Sequence, residues 1–141
     1  MVILLSKPVD GRCVISFNGW IGEFNTTSDI PVDFYLSFLD AARTGKIIST
    51  KIKTNKYSVI FIFDQEVSYI ISTDSEGSSD VEIIEIKRFK LINEFINDIK
   101  RDIDEWSKWP YYDEDSYEAD ERRKYLLESM DELDDMNNLP F

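Results

Sequence analysis

The chain has 141 residues, 43% of them hydrophobic and 31% charged, and a formal net charge of −12. That length suits one domain able to bury roughly 68–70% of its unfolded surface, so folding needs no metal or disulfide, and the apolar share excludes a disordered chain. A single cysteine, Cys13, excludes an intramolecular disulfide, and the lack of any histidine excludes Ser-His-Asp and Cys-His nucleophiles and the commonest zinc ligand.

In chain order, Val2–Ser6 is a short apolar run followed by the turn chemistry of Pro8-Val9-Asp10-Gly11. Arg12–Phe17 alternates, with Cys13, Ile15 and Phe17 on one face, and predicts a strand in which Cys13 is a small core residue. Asn18-Gly19 signals a two-residue hairpin, since both central positions of a type I′ turn need positive φ, and Trp20–Phe24 is the return strand. A polar loop, Asn25–Ser28, leads to Asp29 as a helix cap and Pro31 in the first turn. Val32, Tyr35, Leu36, Leu39 and Ala42 keep helical spacing, and Gly45 is placed to stop the helix after Thr44.

Four further strands are predicted. Lys46–Lys53 is followed by a turn at Thr54-Asn55-Lys56, then by Tyr57–Phe63, apolar almost throughout as a central strand should be. Glu66–Thr73 follows a turn at Asp64-Gln65, and the Asp74–Asp80 loop precedes Val81–Lys87. The acids of the last strand, Glu82 and Glu85, flank apolar residues and are expected to face water.

Beyond Lys87 the hydrophobic period changes from 2 to 3.6. Ile92, Phe95, Ile96, Ile99, Ile103 and Trp106 mark a helix over residues 90–107 that should lie against the sheet, ending near Pro110. A further helix, with Asp115 and Glu118 in the spacing of a capping box, should run to about Met136. Its apolar set, Leu126, Leu127, Met130 and Leu133, is thin. These expectations describe one α+β domain over residues 1–141: an antiparallel sheet of about six or seven strands, one inserted helix and two C-terminal helices. The short apolar start falls below the 7–15 residues of a signal peptide and no run approaches ~18 apolar residues, so a cytoplasmic location is expected.

Charge is unevenly spread. Residues 1–90 carry 12 acids and 10 bases; residues 91–141 carry 16 acids and 6 bases. Such a field opposes direct contact with nucleic acid or anionic membrane and favours a basic protein partner. Catalytic and cofactor signatures are missing: the five glycines form neither G-x-G-x-x-G nor a P-loop. Asp113-Glu114-Asp115 would open a calcium loop, but Glu118 occupies the position that requires glycine and Lys124 the one that requires glutamate. The expectation is a binding protein with no catalytic residue, metal or cofactor. Asp113, Glu114, Asp115, Glu118, Asp120 and Glu121 form its candidate charged contact surface. Trp109, Tyr111 and Tyr112 are candidate anchors, because aromatic residues supply the desolvated centre that an ionic contact lacks.

In overall character, as one acidic α+β domain without a catalytic constellation, the chain resembles the immunity proteins of bacterial polymorphic-toxin and contact-dependent growth inhibition systems. The resemblance implies a cytoplasmic protein that binds a cognate toxin domain, commonly a basic nuclease, in a 1:1 complex and covers its active site. Ile30–Leu39 resembles the opening helix of the SUKH immunity superfamily, but Arg43-Thr44-Gly45 stands where paired glycines are usual, so that fold is not carried over. The chain is also similar to acidic secretion chaperones that bind an effector; those open with a helix, whereas this chain opens with strands.

Overall fold

A computed structural model of the chain describes residues 3–9, 12–17, 20–25, 30–54, 57–64, 67–74, 81–108 and 116–137. Among these described residues there are seven strands: β1 (Ile3–Leu5), β2 (Arg12–Phe17), β3 (Trp20–Asn25), β4 (Ile48–Lys53), β5 (Tyr57–Phe63), β6 (Val67–Asp74) and β7 (Val81–Lys87). Four helices accompany them: α1 (Ile30–Thr44), α2 (Arg88–Arg101), α3 (Ile103–Ser107) and α4 (Tyr117–Asn137). The chain is an antiparallel α+β protein with one helix inserted between strands and the others at the C-terminus, as its periodicity indicates. The strands sort into two sheets, β1-β2-β3 and β4-β5-β6-β7, rather than one.

Local chemistry accounts for most boundaries. Val9 and Arg12 exchange both backbone hydrogen bonds at 2.9 Å, closing the first turn around Asp10-Gly11, which lie outside the described residues. Phe17 pairs with Trp20, so a two-residue connection joins β2 and β3; its Asn18-Gly19 also lie outside the described residues, as does the expected cap Asp29. Gly45 ends α1 with φ of 69°, a conformation that costs a residue with a Cβ, and its N–H donates to the Ala41 carbonyl at 3.1 Å. The cap of α4 is Ser116, not Asp115: its hydroxyl accepts the Ala119 N–H at 3.1 Å, the reach of a cap to the third helical residue.

The core lies between the inner sheet faces and α1 and α2. Phe34 and Phe38 of α1, Phe61 and Phe63 of β5 and Phe95 of α2 meet there, each at most 1% exposed. Their rings stand 4.9 Å (Phe34–Phe61), 4.6 Å (Phe38–Phe63) and 5.3 Å (Phe34–Phe95) apart, the first two edge-to-face. Such geometry stabilises by about 0.5–1.5 kcal/mol per pair beyond area burial. The buried stripe of α1 is therefore Phe34, Tyr35, Phe38 and Leu39; Leu36, expected inside, is 51% exposed. The helix is apolar on more than one face, and the larger aromatic rings fill the core.

The predicted 90–107 helix is two helices. Asp102 leaves helical geometry at φ −113°, ψ 34°, and its carbonyl accepts the Trp106 N–H at 3.1 Å to start α3. The bend still brings Phe95, Ile96, Ile99, Ile103 and Trp106 into the core, as their spacing requires. Leu126, Met130 and Leu133 of α4, each 0% exposed, and Ala119 pack α4 onto the other three helices, so the thin stripe suffices to dock it. Gly22 of β3 faces Thr54 at the end of β4: a Cβ there would lie 2.7 Å from three atoms of the threonine side chain, so this approach of the two sheets needs glycine.

β1 is an edge strand, and α2 covers that edge with a charged clamp. The Leu5 N–H donates to Asp98 Oδ2 at 2.8 Å, and Arg101 Nη2 donates to the Leu5 carbonyl at 2.7 Å. Arg101 also donates to Asp98 Oδ1 at 3.1 Å and to Asp102 Oδ2 at 2.9 Å. Both outward-facing backbone groups of Leu5 are thus satisfied by side chains, which removes a site for strand addition. Asp98 is 3% exposed, and burial pushes its carboxyl above the ordinary value of 3.8, the bonds from Leu5 and Arg101 acting in the opposite sense.

Candidate functional site

The acidic surface is built on α4. Ser116 sets the start of the helix, and Glu118, Asp120 and Glu121 follow within its first five residues, all exposed. Glu118 and Asp120, in the first turn, face the positive end of the helix dipole and are favoured by about 0.3–1 kcal/mol each. None of the three makes an ion pair among the described residues. Beside them an open cleft of about 330 Å³ separates α3 from the start of α4, lined by Asp104, Ser107, Lys108, Ala119, Asp120 and Arg123. Arg123 Nε bridges its walls to Asp104 Oδ1 at 3.1 Å, and Arg122 Nε donates to the Trp106 carbonyl at 2.8 Å. These contacts fix α4 against α3 and leave Glu118, Asp120 and Glu121 exposed.

The other expected site residues, Asp113, Glu114, Asp115, Trp109, Tyr111 and Tyr112, lie outside the described residues. In sequence they fall between α3 and α4. Trp106, assigned to the helix core, is 1% exposed, and its indole N–H meets no acceptor among the described residues.

A second acidic group was not singled out from the sequence. Glu128, Asp131, Asp134 and Asp135 are exposed on the C-terminal half of α4, whose last turn has no basic residue. Acids at that end oppose the helix dipole, and Asp131–Asp135 is a like-charge pair at i,i+4; both effects destabilise the helix. Lys100 neutralises Asp131 at 3.0 Å, and Arg43 holds Glu132 at 2.8 Å. Tyr35 donates a short hydrogen bond to Glu132, and its phenol is pushed up to about 12, mainly by burial and then by that carboxylate. Glu128, Asp134 and Asp135 keep no counter-ion among the described residues. Locally unfavourable charge of this kind had a sequence signal: the absence of Lys or Arg after Lys124.

Elsewhere, the Cys13 thiol is 1% exposed, donates to the Ser6 carbonyl at 3.0 Å, and is pushed up to about 11 by burial, so it is protonated at neutral pH. It occupies the core, as its strand position indicates. Glu82 and Glu85 are exposed on β7. No group of three or more His, Cys, Asp or Glu among the described residues is arranged to hold a metal ion, and no described helix is long and apolar enough to cross a membrane. No protein-family model matches the chain, and no curated protein or solved structure shows significant similarity to it.

Proposed function

We propose that this chain is an immunity-type inhibitor that binds a cognate bacterial toxin domain, a basic nuclease in its simplest form, and covers the active site with the acidic surface at the start of α4. The observation that carries this reading is the set Glu118, Asp120 and Glu121: three exposed carboxylates within the first five residues of α4, without counter-ions among the described residues. Acids in such an array present fixed negative charge to a cleft that evolved to bind phosphates, and they raise encounter rates before any contact forms. The local cost of acids at the far end of α4 supports the same reading, because helix stability alone would select against them.

The test is co-expression with the candidate toxin domain, followed by binding kinetics. The wild-type chain should restore growth and form a 1:1 complex whose association slows steeply with salt, since exposed charges are screened over about 8 Å at physiological ionic strength. Reversing Glu118, Asp120 and Glu121 to lysine should lower the on-rate by at least about tenfold, with a lowered melting temperature from the lost helix-dipole contribution but a cooperative unfolding transition that shows the chain still folded. An unchanged affinity and salt dependence would move the interface elsewhere, and turnover of a substrate by the purified chain alone would defeat the binding-protein reading.

A further inference from the structure

We infer that the outer face of the β4–β7 sheet is a self-association surface that takes a second copy of this chain. Register defines that face. Ile60 of β5, Ile71 of β6 and Ile83 of β7 stand in one row; Ile62 and Tyr69, with Glu85, form the row on one side of it, and Val81, with Ser58 and Thr73, the row on the other. Ile83 and Val81 are 65% and 54% exposed, and Ile60, Ile62, Tyr69 and Ile71 are half-buried. The helices do not cover them: α1 and α2 pack on the opposite side, where Val59, Phe61, Phe63, Ile70, Ile84 and Ile86 are buried. Ile60, Ile71, Ile83, Ile62 and Tyr69 form a contiguous apolar patch at the centre of this face, of the kind that marks an interaction surface.

Charge and area select the occupant. The acidic α4 lies behind α1 and α2, so the open face looks away from most of the negative charge. Its ionic rim is Lys51 and Lys53 on β4 and Glu85 and Lys87 on β7, all exposed. A two-fold axis parallel to the strands lays β4 of one copy over β7 of the other, in the aligned packing of two sheets. Lys51 then faces the row that ends in Ile83 of the second copy and reaches Glu85 one step along, and the contact repeats by symmetry. The two-fold across the strands instead opposes Lys51 and Lys53 to themselves. Four strands spaced about 4.8 Å, with seven residues at about 3.3 Å, give roughly 440 Å² in projection per copy. Twice that, roughly 880 Å², falls short of the ~1,000 Å² that a stable interface clears, so the dimer is weak and concentration-dependent. Both acidic surfaces remain outward and free.

Sedimentation velocity on the whole chain, from about 1 µM to about 1 mM, reads the equilibrium directly. The wild type should pass from monomer to dimer across this range. Ile83→Lys, at an exposed position, should weaken association at least about tenfold with an unchanged melting temperature. Lys51→Glu and Glu85→Lys should each weaken it, and the double variant should recover it, because the pairing is reciprocal. A wild type that stays monomeric to about 1 mM, a dimer indifferent to Ile83→Lys, or a double variant no better than the single ones would overturn the inference. The toxin interface proposed above lies on α4, away from this face, so Ile83→Lys tests self-association separately from it.

Discussion

Replacing Asp98 separates the two roles of the clamp on β1. In Asp98→Ala the Leu5 N–H, on a residue 0% exposed, loses its acceptor, and Arg101 loses one of its two carboxylates. A buried donor without a partner costs about 1–3 kcal/mol. The arginine adds little, because its side chain is 47% exposed and it keeps Asp102. The expected loss is therefore about 1–3 kcal/mol. Asp98→Asn keeps an acceptor for Leu5 and removes a charge whose burial is unfavourable, so it should cost less than about 1 kcal/mol. The pair also predicts a pH effect. The folded carboxyl titrates above the ordinary value of 3.8, so between 3.8 and its raised value the folded state binds more protons than the unfolded one. Stability from this group is then fully present below 3.8 and is lost as pH rises through the folded value. Relative to Asp98→Asn, the wild type should gain stability as pH falls from about 7 toward about 4. Urea unfolding of the three proteins across that range measures both effects. Equal losses for the alanine and asparagine variants, or a wild type that weakens relative to Asp98→Asn on acidification, would refute the reasoning.

The core yields a larger expected loss. Phe95→Ala removes a ring 1% exposed and 5.3 Å from Phe34, and chemical denaturation should show about 3–5 kcal/mol; less than about 1 kcal/mol would mean α2 does not dock as described. Gly22→Ala places a methyl group 2.7 Å from Thr54 and should destabilise by about 1–3 kcal/mol, with Thr54→Ser in the same chain recovering part of the loss by removing one of the three contacted atoms.

Most elements were legible in the sequence because each rests on neighbours within a few residues, although the break at Asp102 that separates α2 from α3 was not. The bounds of β2, β5 and β7 follow from alternation and turn residues, and Gly45 stops α1 through a local backbone requirement. The uneven charge was legible too, since counting needs no geometry. Three features were decided by contacts between distant residues. The face of α1 that turns inward depends on Phe61, Phe63 and Phe95, which its own sequence does not contain. Asp98 reads as a polar interruption in an apolar helix until Leu5, 93 positions away, places an unpaired N–H against it. Ile60, Ile71 and Ile83 read as core from their hydrophobicity, yet lie on the outer side, because both covering helices pack on the other face and strand periodicity assigns two faces without naming the one that is covered.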